Sequence, residues 1–169
     1  MDDRFNALPP GVVGLLGFRA PWIPDRYVDN DKATTESFHE GWFYLGDLGS
    51  IDAEGRLSLH GRRDDVINFG GLKIQPQDVE PILLEHPDVE DAAVVAISHA
   101  MADEMPVALV VLRRPVTGEA LTCFLRSRVD EGLLPTTFIE VPEIFRRADG
   151  KILRNRLLAE YGTPPRPST

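Results

Sequence analysis

The sequence has one cysteine, Cys123, in 169 residues, so no internal disulfide can form. It falls between Leu121, Phe124 and Leu125 in a helical pattern, and a buried structural thiol is the expectation there rather than a nucleophile. Positive charge is also scarce: 18 Lys and Arg against 27 Asp and Glu leave a net charge of −9. Nucleic-acid affinity rests on basic side chains that neutralise phosphates, so a nucleic-acid partner is not expected. No run approaches the roughly 18 apolar residues of a membrane span. The start, Met1-Asp2-Asp3-Arg4, lacks the basic and apolar segments of a signal peptide, and these features together predict a cytoplasmic protein.

Other sites are missing too. His39, His60, His86 and His99 have no zinc-ligand spacing and no cysteines to join them, so no resident metal is expected. There is no G-x-S-x-G, no G-x-x-x-x-G-K-[ST] and no G-x-G-x-x-G, which excludes a lone hydrolase elbow, P-loop or Rossmann fingerprint.

What is present is a globular composition, 43% apolar and 27% charged, with 14 Gly and 14 Pro that predict frequent turns. Residues 12–18 read as a strand, 21–31 as irregular, and Gly41-Trp42-Phe43-Tyr44 as an aromatic strand ending at Gly46-Asp47. Asp52-Ala53-Glu54-Gly55 reads as a hairpin turn, with Arg56 to His60 as the returning strand. From Gly61 the pattern changes, and a boundary is placed there. Gln75 to Asp78 open a helix whose inner face is Val79, Ile82 and Leu83, with Pro81 keeping it short or bent. Residues 91–97 and 106–112 are continuous small and β-branched runs, which read as central strands covered on both faces. Thr117 caps a helix carrying Leu121, Phe124, Leu125 and Val129 and stopped by Gly132. Residues 137–141 read as a strand, residues 150–161 as a helix capped by Asp149, and 163–169 as a loose tail. The fold class implied is α+β: a small mixed β-sheet with helices packed on it, preceded by a β-hairpin and strands.

Three polar sites stand out. Asp47, between Gly46 and Gly49, is either a turn residue or a carboxylate able to grip a vicinal diol such as a ribose. Gly61-Arg62-Arg63-Asp64-Asp65 is either a solvated charged turn or a set of guanidinium forks for phosphate or ribose oxygens. Arg146-Arg147-Ala148-Asp149-Gly150-Lys151 places a lysine in the first turn of the last helix, against the dipole preference, which is either a fraying end or a position with a use.

Taken together, the three sites resemble the C-terminal part of the adenylate-forming superfamily, which includes the AMP-forming acyl-CoA synthetases, peptide-synthetase adenylation domains and luciferases. The resemblance rests on Gly41-Trp42-Phe43-Tyr44-Leu45-Gly46-Asp47-Leu48-Gly49, on Gly61 to Glu80, and on Gly150-Lys151-Ile152. It implies that residues 1–60 are the end of an N-terminal AMP-binding domain and that residues 61–162 are the C-terminal domain. It further implies that Asp47 holds the ribose of ATP or AMP, that Arg62 lies beside the nucleotide, and that Asp64 is the hinge of the small domain. Gly70 and Gly71 then match the loop that admits the pantetheine of CoA or of a carrier protein, and Lys151 matches the lysine that contacts the carboxylate and α-phosphate during adenylation. Mg2+ would arrive with ATP, and none of these residues is identified as its ligand. Leu45 stands where the family has Thr, Phe145 where it has Pro, and Asp78 where it has Glu.

The activity implied is activation of a carboxylic acid as acyl-adenylate and its transfer to a thiol, with the phosphate loop and acid pocket supplied from outside this chain. Its partner would be an N-terminal half or a full-length relative. The alternative is a non-catalytic interaction or regulatory domain, or a truncated relic. If residues 1–60 are separated from their home domain, Phe18, Trp22, Phe43 and Tyr44 should be exposed.

Overall fold

The computed structural model describes residues 1, 2, 5–98 and 104–162; His99 and the tail at 163–169 lie outside the described residues. The chain divides into two compact units between Asp64 and Asp65.

In the first unit, β1 (Gly14–Phe18), β2 (Phe38–His39) and β4 (Leu57–Arg62) all pair antiparallel with β3 (Trp42–Ile51). A short helix, α1 (Asp31–Ser37), precedes β2. Its consecutive threonines argue against helix, but Asn30 caps it through the Ala33 N–H, and the Thr34 and Thr35 hydroxyls bond back to Asn30 and Asp31 carbonyls. The aromatic strand does not end at Gly46-Asp47. β3 continues to Ile51, and Gly46, at φ +80°, lies within an irregularity of the β1–β3 ladder. A bulge of this kind re-aims side chains without ending the strand. Leu15, Leu16 and Tyr44 are buried, so Tyr44 is not exposed as expected, and Phe43 is half-buried against Phe38 at 4.8 Å between ring centroids. Trp22 is open at 82% exposure and Phe18 is also exposed.

In the second unit the sheet order is β7 (Val89–Ser98), β8 (Glu104–Leu112), β9 (Thr137–Glu140), antiparallel then parallel. Only β8 is a middle strand, although β7 is covered on both faces. Ala92 and Val94 face one core with Ile67, Ile74, Val79 and Leu121, whereas Ala93, Val95 and Ile97 face another with Val141, Ile144 and Leu157. The first core is closed by α2 (Pro76–Leu84), α3 (Gly118–Arg126) and a hairpin of β5 (Ile67–Phe69) and β6 (Leu72–Ile74). The second is closed by α4 (Arg154–Tyr161).

Three local expectations are corrected. The buried stripe of α2 is Pro76, Val79, Glu80 and Leu83, so a carboxylate sits where an apolar residue was expected. α3 ends at Arg126, before Gly132, because Gly132 belongs to a separate 3₁₀ turn at Glu131–Leu133. Cys123 is exposed: two residues from both Leu121 and Leu125, it lies about 200° around the helix from each, on the outer face. No described helix is long and apolar enough to cross a membrane.

Candidate functional site

In the first unit the register sets Asp47 opposite Arg62. The Arg62 guanidinium donates from Nη1 to Asp47 Oδ1 at 3.1 Å and from Nη2 to the Leu45 carbonyl at 2.7 Å. The fork therefore spans the Gly46 bulge, and a Cβ on Gly46 would come within 3.3 Å of Nη2. Both side chains of the pair are about one-third exposed, and Asp47 Oδ2 has no donor among the described residues. Beside the pair is a cleft of about 270 Å³ whose lining includes Tyr27, Glu36, Tyr44, Gly46, Arg62 and Arg63. Burial pushes the Tyr44 phenol above its ordinary value of 10.0, and the Glu40 carboxylate adds to that. At position 45 it is the main-chain carbonyl that holds Arg62, so leucine in place of threonine leaves this contact intact.

Asp64 lies in a 3₁₀ turn, Arg63–Asp65, at the division between the units. Its side chain is 70% exposed and 3.8 Å from Arg63 Nε.

Gly70 and Gly71 are the two central residues of the β5–β6 hairpin, at φ +56° and +87°. Two successive positive φ values are what a two-residue type I′ turn demands, and among the described residues no atom beyond the immediate chain neighbours lies within 4 Å of a Cβ built on either. The turn is thus a bare main-chain edge facing open space. A Glu104 carboxylate oxygen accepts the Asn68 N–H at 2.6 Å and ties this hairpin to β8.

Lys151 is not in the first turn of a helix. α4 begins at Arg154, and Asp149 accepts the Lys151 N–H at 3.1 Å within a tight loop instead of capping the helix. That loop closes on itself: Arg146 bridges Ile152, the Arg147 N–H donates to the Lys151 carbonyl at 2.9 Å, and Gly150 turns at φ +84°. Arg146 braces it, gripping Asp91 on β7 at 2.6 and 3.1 Å and the Gly150 carbonyl at 3.0 Å. The hydrogen bonds to Asp91 hold the Arg146 guanidinium above its ordinary range. Lys151 itself is exposed, and no hydrogen bond or ion pair among the described residues engages its ammonium. Phe145, in place of proline, is buried between the Tyr161 ring and the Arg156 guanidinium, the latter 3.8 Å from its ring centre.

Two further groups escaped the sequence reading. Glu80 accepts from the Val94 N–H at 2.8 Å and from both Arg154 Nη atoms at 2.6 and 3.2 Å, while Arg154 Nη1 also reaches the Val94 carbonyl at 3.0 Å. The pair thereby satisfies both main-chain groups of Val94 on the open edge of β7. The 76, 79, 80, 83 spacing of α2 is a signal that places Glu80 on the buried face. Among the described residues no group of three or more His, Cys, Asp or Glu stands close enough to hold a metal ion.

Residues 78–151 match the AMP-binding enzyme C-terminal domain family. The chain is 38% identical to the 2-succinylbenzoate–CoA ligase of Bacillus velezensis across 90% of its own length and 31% of the ligase. It is 37% identical to the oxalate–CoA ligase of Saccharomyces cerevisiae across 95% of its length and 30% of that enzyme. Among solved structures, the o-succinylbenzoate CoA synthetase of Bacillus subtilis in complex with its acyl-adenylate intermediate superposes with a TM-score of 0.80 at 35% identity, over 89% of this chain and 31% of that one. The chain thus spans about a third of the length of these relatives. It belongs to the adenylate-forming superfamily of the AMP-forming acyl-CoA synthetases, and carries that family's AMP-binding enzyme C-terminal domain.

Proposed function

We propose that this chain supplies the mobile lid and the ribose-binding strand of an ATP-dependent, AMP-forming acid–thiol ligase. In the first half-reaction a substrate carboxylate oxygen bonds to the α-phosphorus of ATP, the bond to pyrophosphate breaks, and an acyl-adenylate forms. Negative charge gathers on the α-phosphate as this happens. The Lys151 ammonium offsets it, and a donor so placed contributes on the order of 3 kcal/mol to the transition state. Asp47 accepts the ribose hydroxyls through Oδ2, with Arg62 holding Oδ1 and standing beside the nucleotide.

In the second half-reaction the second unit turns about Asp64. Lys151 withdraws and the bare Gly70-Gly71 edge takes its place, leaving room for the pantetheine of CoA or of a carrier protein. A thiolate then attacks the acyl carbon and AMP departs. ATP brings Mg2+, which supplies electrostatic shielding of the phosphates; Asp47, Arg62 and Lys151 bind the ribose, orient the nucleotide and meet the α-phosphate. The phosphate loop and the acid pocket lie outside these 169 residues and are supplied either by the same polypeptide or by a partner that contains them.

The observation that carries this reading is the exposed Lys151 ammonium on a braced glycine turn with no protein partner among the described residues. Grafting this chain in place of the matching segment of a solved relative tests it. The graft should restore AMP release with ATP, the recipient's own acid and CoA. A folded graft that binds ATP yet releases no AMP would favour a non-catalytic interaction module.

A further inference from the structure

A hinge works only if motion is confined to it. Upstream of Asp64, Arg62 is fastened to its own unit by Asp47 and the Leu45 carbonyl. Downstream, Asp65 sits 3.6 Å from Arg154 Nε, and Arg154 is itself held by the buried Glu80 carboxylate and by the Val94 carbonyl. Ile67, two residues further on, is 2% exposed in the core of the second unit. What remains between the two fastenings is Arg63 and Asp64, with side chains 48% and 70% exposed and, among the described residues, ion-paired only with each other at 3.8 Å.

We infer that Asp65 is a positioning residue: with Arg154 it clamps the downstream end of the hinge, so that rotation of the lid is concentrated at Arg63-Asp64 instead of being spread along the 3₁₀ turn. This deepens the lid reading and rests on it. A two-residue pivot fixes the arc along which Lys151 and the Gly70-Gly71 edge travel, whereas a longer linker lets the lid stop at many orientations, of which only two are productive. Arg154 suits the role because one planar guanidinium serves three partners, with Nη1 and Nη2 on Glu80, Nη1 on the Val94 carbonyl and Nε towards Asp65. The Arg154 side chain is 17% exposed, so the anchor moves with the sheet and not with solvent-exposed loop.

The test is 15N relaxation on the full 169-residue chain. In the wild type, low order parameters within residues 62–67 should be confined to Arg63 and Asp64, with Asp65 and Val66 near the rigid-backbone value of about 0.85. Asp65→Asn removes the charge while leaving Glu80, Arg154 and Val94 in contact; it should drop Asp65 and Val66 below about 0.6 and leave the Val94 amide unchanged. Asp65→Glu should restore most of the order, which a purely steric role for Asp65 would not produce. Asp65 and Val66 that are already mobile in the wild type, or that stay rigid in Asp65→Asn, would overturn the inference. Because the measurement needs no catalysis, failure of the clamp and failure of the lid reading are read by different experiments.

Discussion

Glu80→Gln should weaken the second unit by about 3 kcal/mol. The Glu80 side chain is 12% exposed and that of Arg154 17%, and the carboxylate accepts three hydrogen bonds, two of them from the guanidinium. Glutamine keeps one acceptor oxygen but turns an NH2 group towards donors, leaving Arg154 with only the more distant Asp65 carboxylate, 3.6 Å from Nε, as counter-charge. Breaking a buried pair from one side costs about 3–5 kcal/mol, and the residual water access to Arg154 places this case at the low end. With a urea m-value of about 1.5 kcal/mol/M, the midpoint should fall by about 2 M. The assay follows the Val94 and Val110 amide resonances for the second unit. The fluorescence of Trp22 and Trp42, the protein's two tryptophans, reports on the first. A midpoint that moves by less than about 0.5 M, or a shift seen only in tryptophan fluorescence, would refute the argument. Arg154→Leu should moreover cost less in a Glu80→Leu background than alone, since no isolated charge then remains.

Gly150→Ala meets no atom of the described residues beyond its chain neighbours within 4 Å, so its cost is the left-handed backbone, about 1–2 kcal/mol. Adenylation in the graft should fall with it while thiol transfer from preformed adenylate is spared; equal loss in both would count against the loop's role. Asp52 holds the β3–β4 turn through the Arg56 and Glu54 main-chain N–H groups and the Arg56 side chain. The Arg56 main-chain hydrogen bond, then its side chain, draws the Asp52 carboxyl below 3.8. A lowered folded value means that the stabilisation is complete above pH 3.8 and lost as pH falls through the folded value, so a 13C carboxyl titration midpoint at or above 3.8 would contradict it. Cys123, on the outer face of α3, should be alkylated by iodoacetamide in the native protein at a rate that urea does not raise appreciably. Protection until unfolding would show the face to be covered.

The sheet strands were legible because β7 and β8 are apolar on both faces, a pattern that few other environments tolerate. Gly70-Gly71 entered only through the family resemblance, as a loop; the β5–β6 pairing makes it a hairpin turn, whose two successive positive φ values favour glycine. The Glu80–Arg154 pair was not: its members are 74 residues apart, and the charge of each, read alone, suggests an exposed position. Lys151 was assigned to a helix because the pattern after Asp149 satisfies a capping rule. The bridge between Arg146 and Ile152 outweighs it, and that bridge depends on Asp91 of a distant strand. Likewise Gly46-Asp47 reads as a turn locally, and only its pairing with β1 makes it a bulge within a continuing strand.

The most direct measurement is the ratio of the two half-reactions in the graft carrying Lys151→Ala. ATP–pyrophosphate exchange should fall about 10²–10³-fold, the equivalent of about 3–4 kcal/mol, while the conversion of supplied acyl-adenylate to thioester changes by less than about threefold. Equal loss in both steps, or exchange at the unaltered rate, would contradict the assignment of Lys151 to the first step alone.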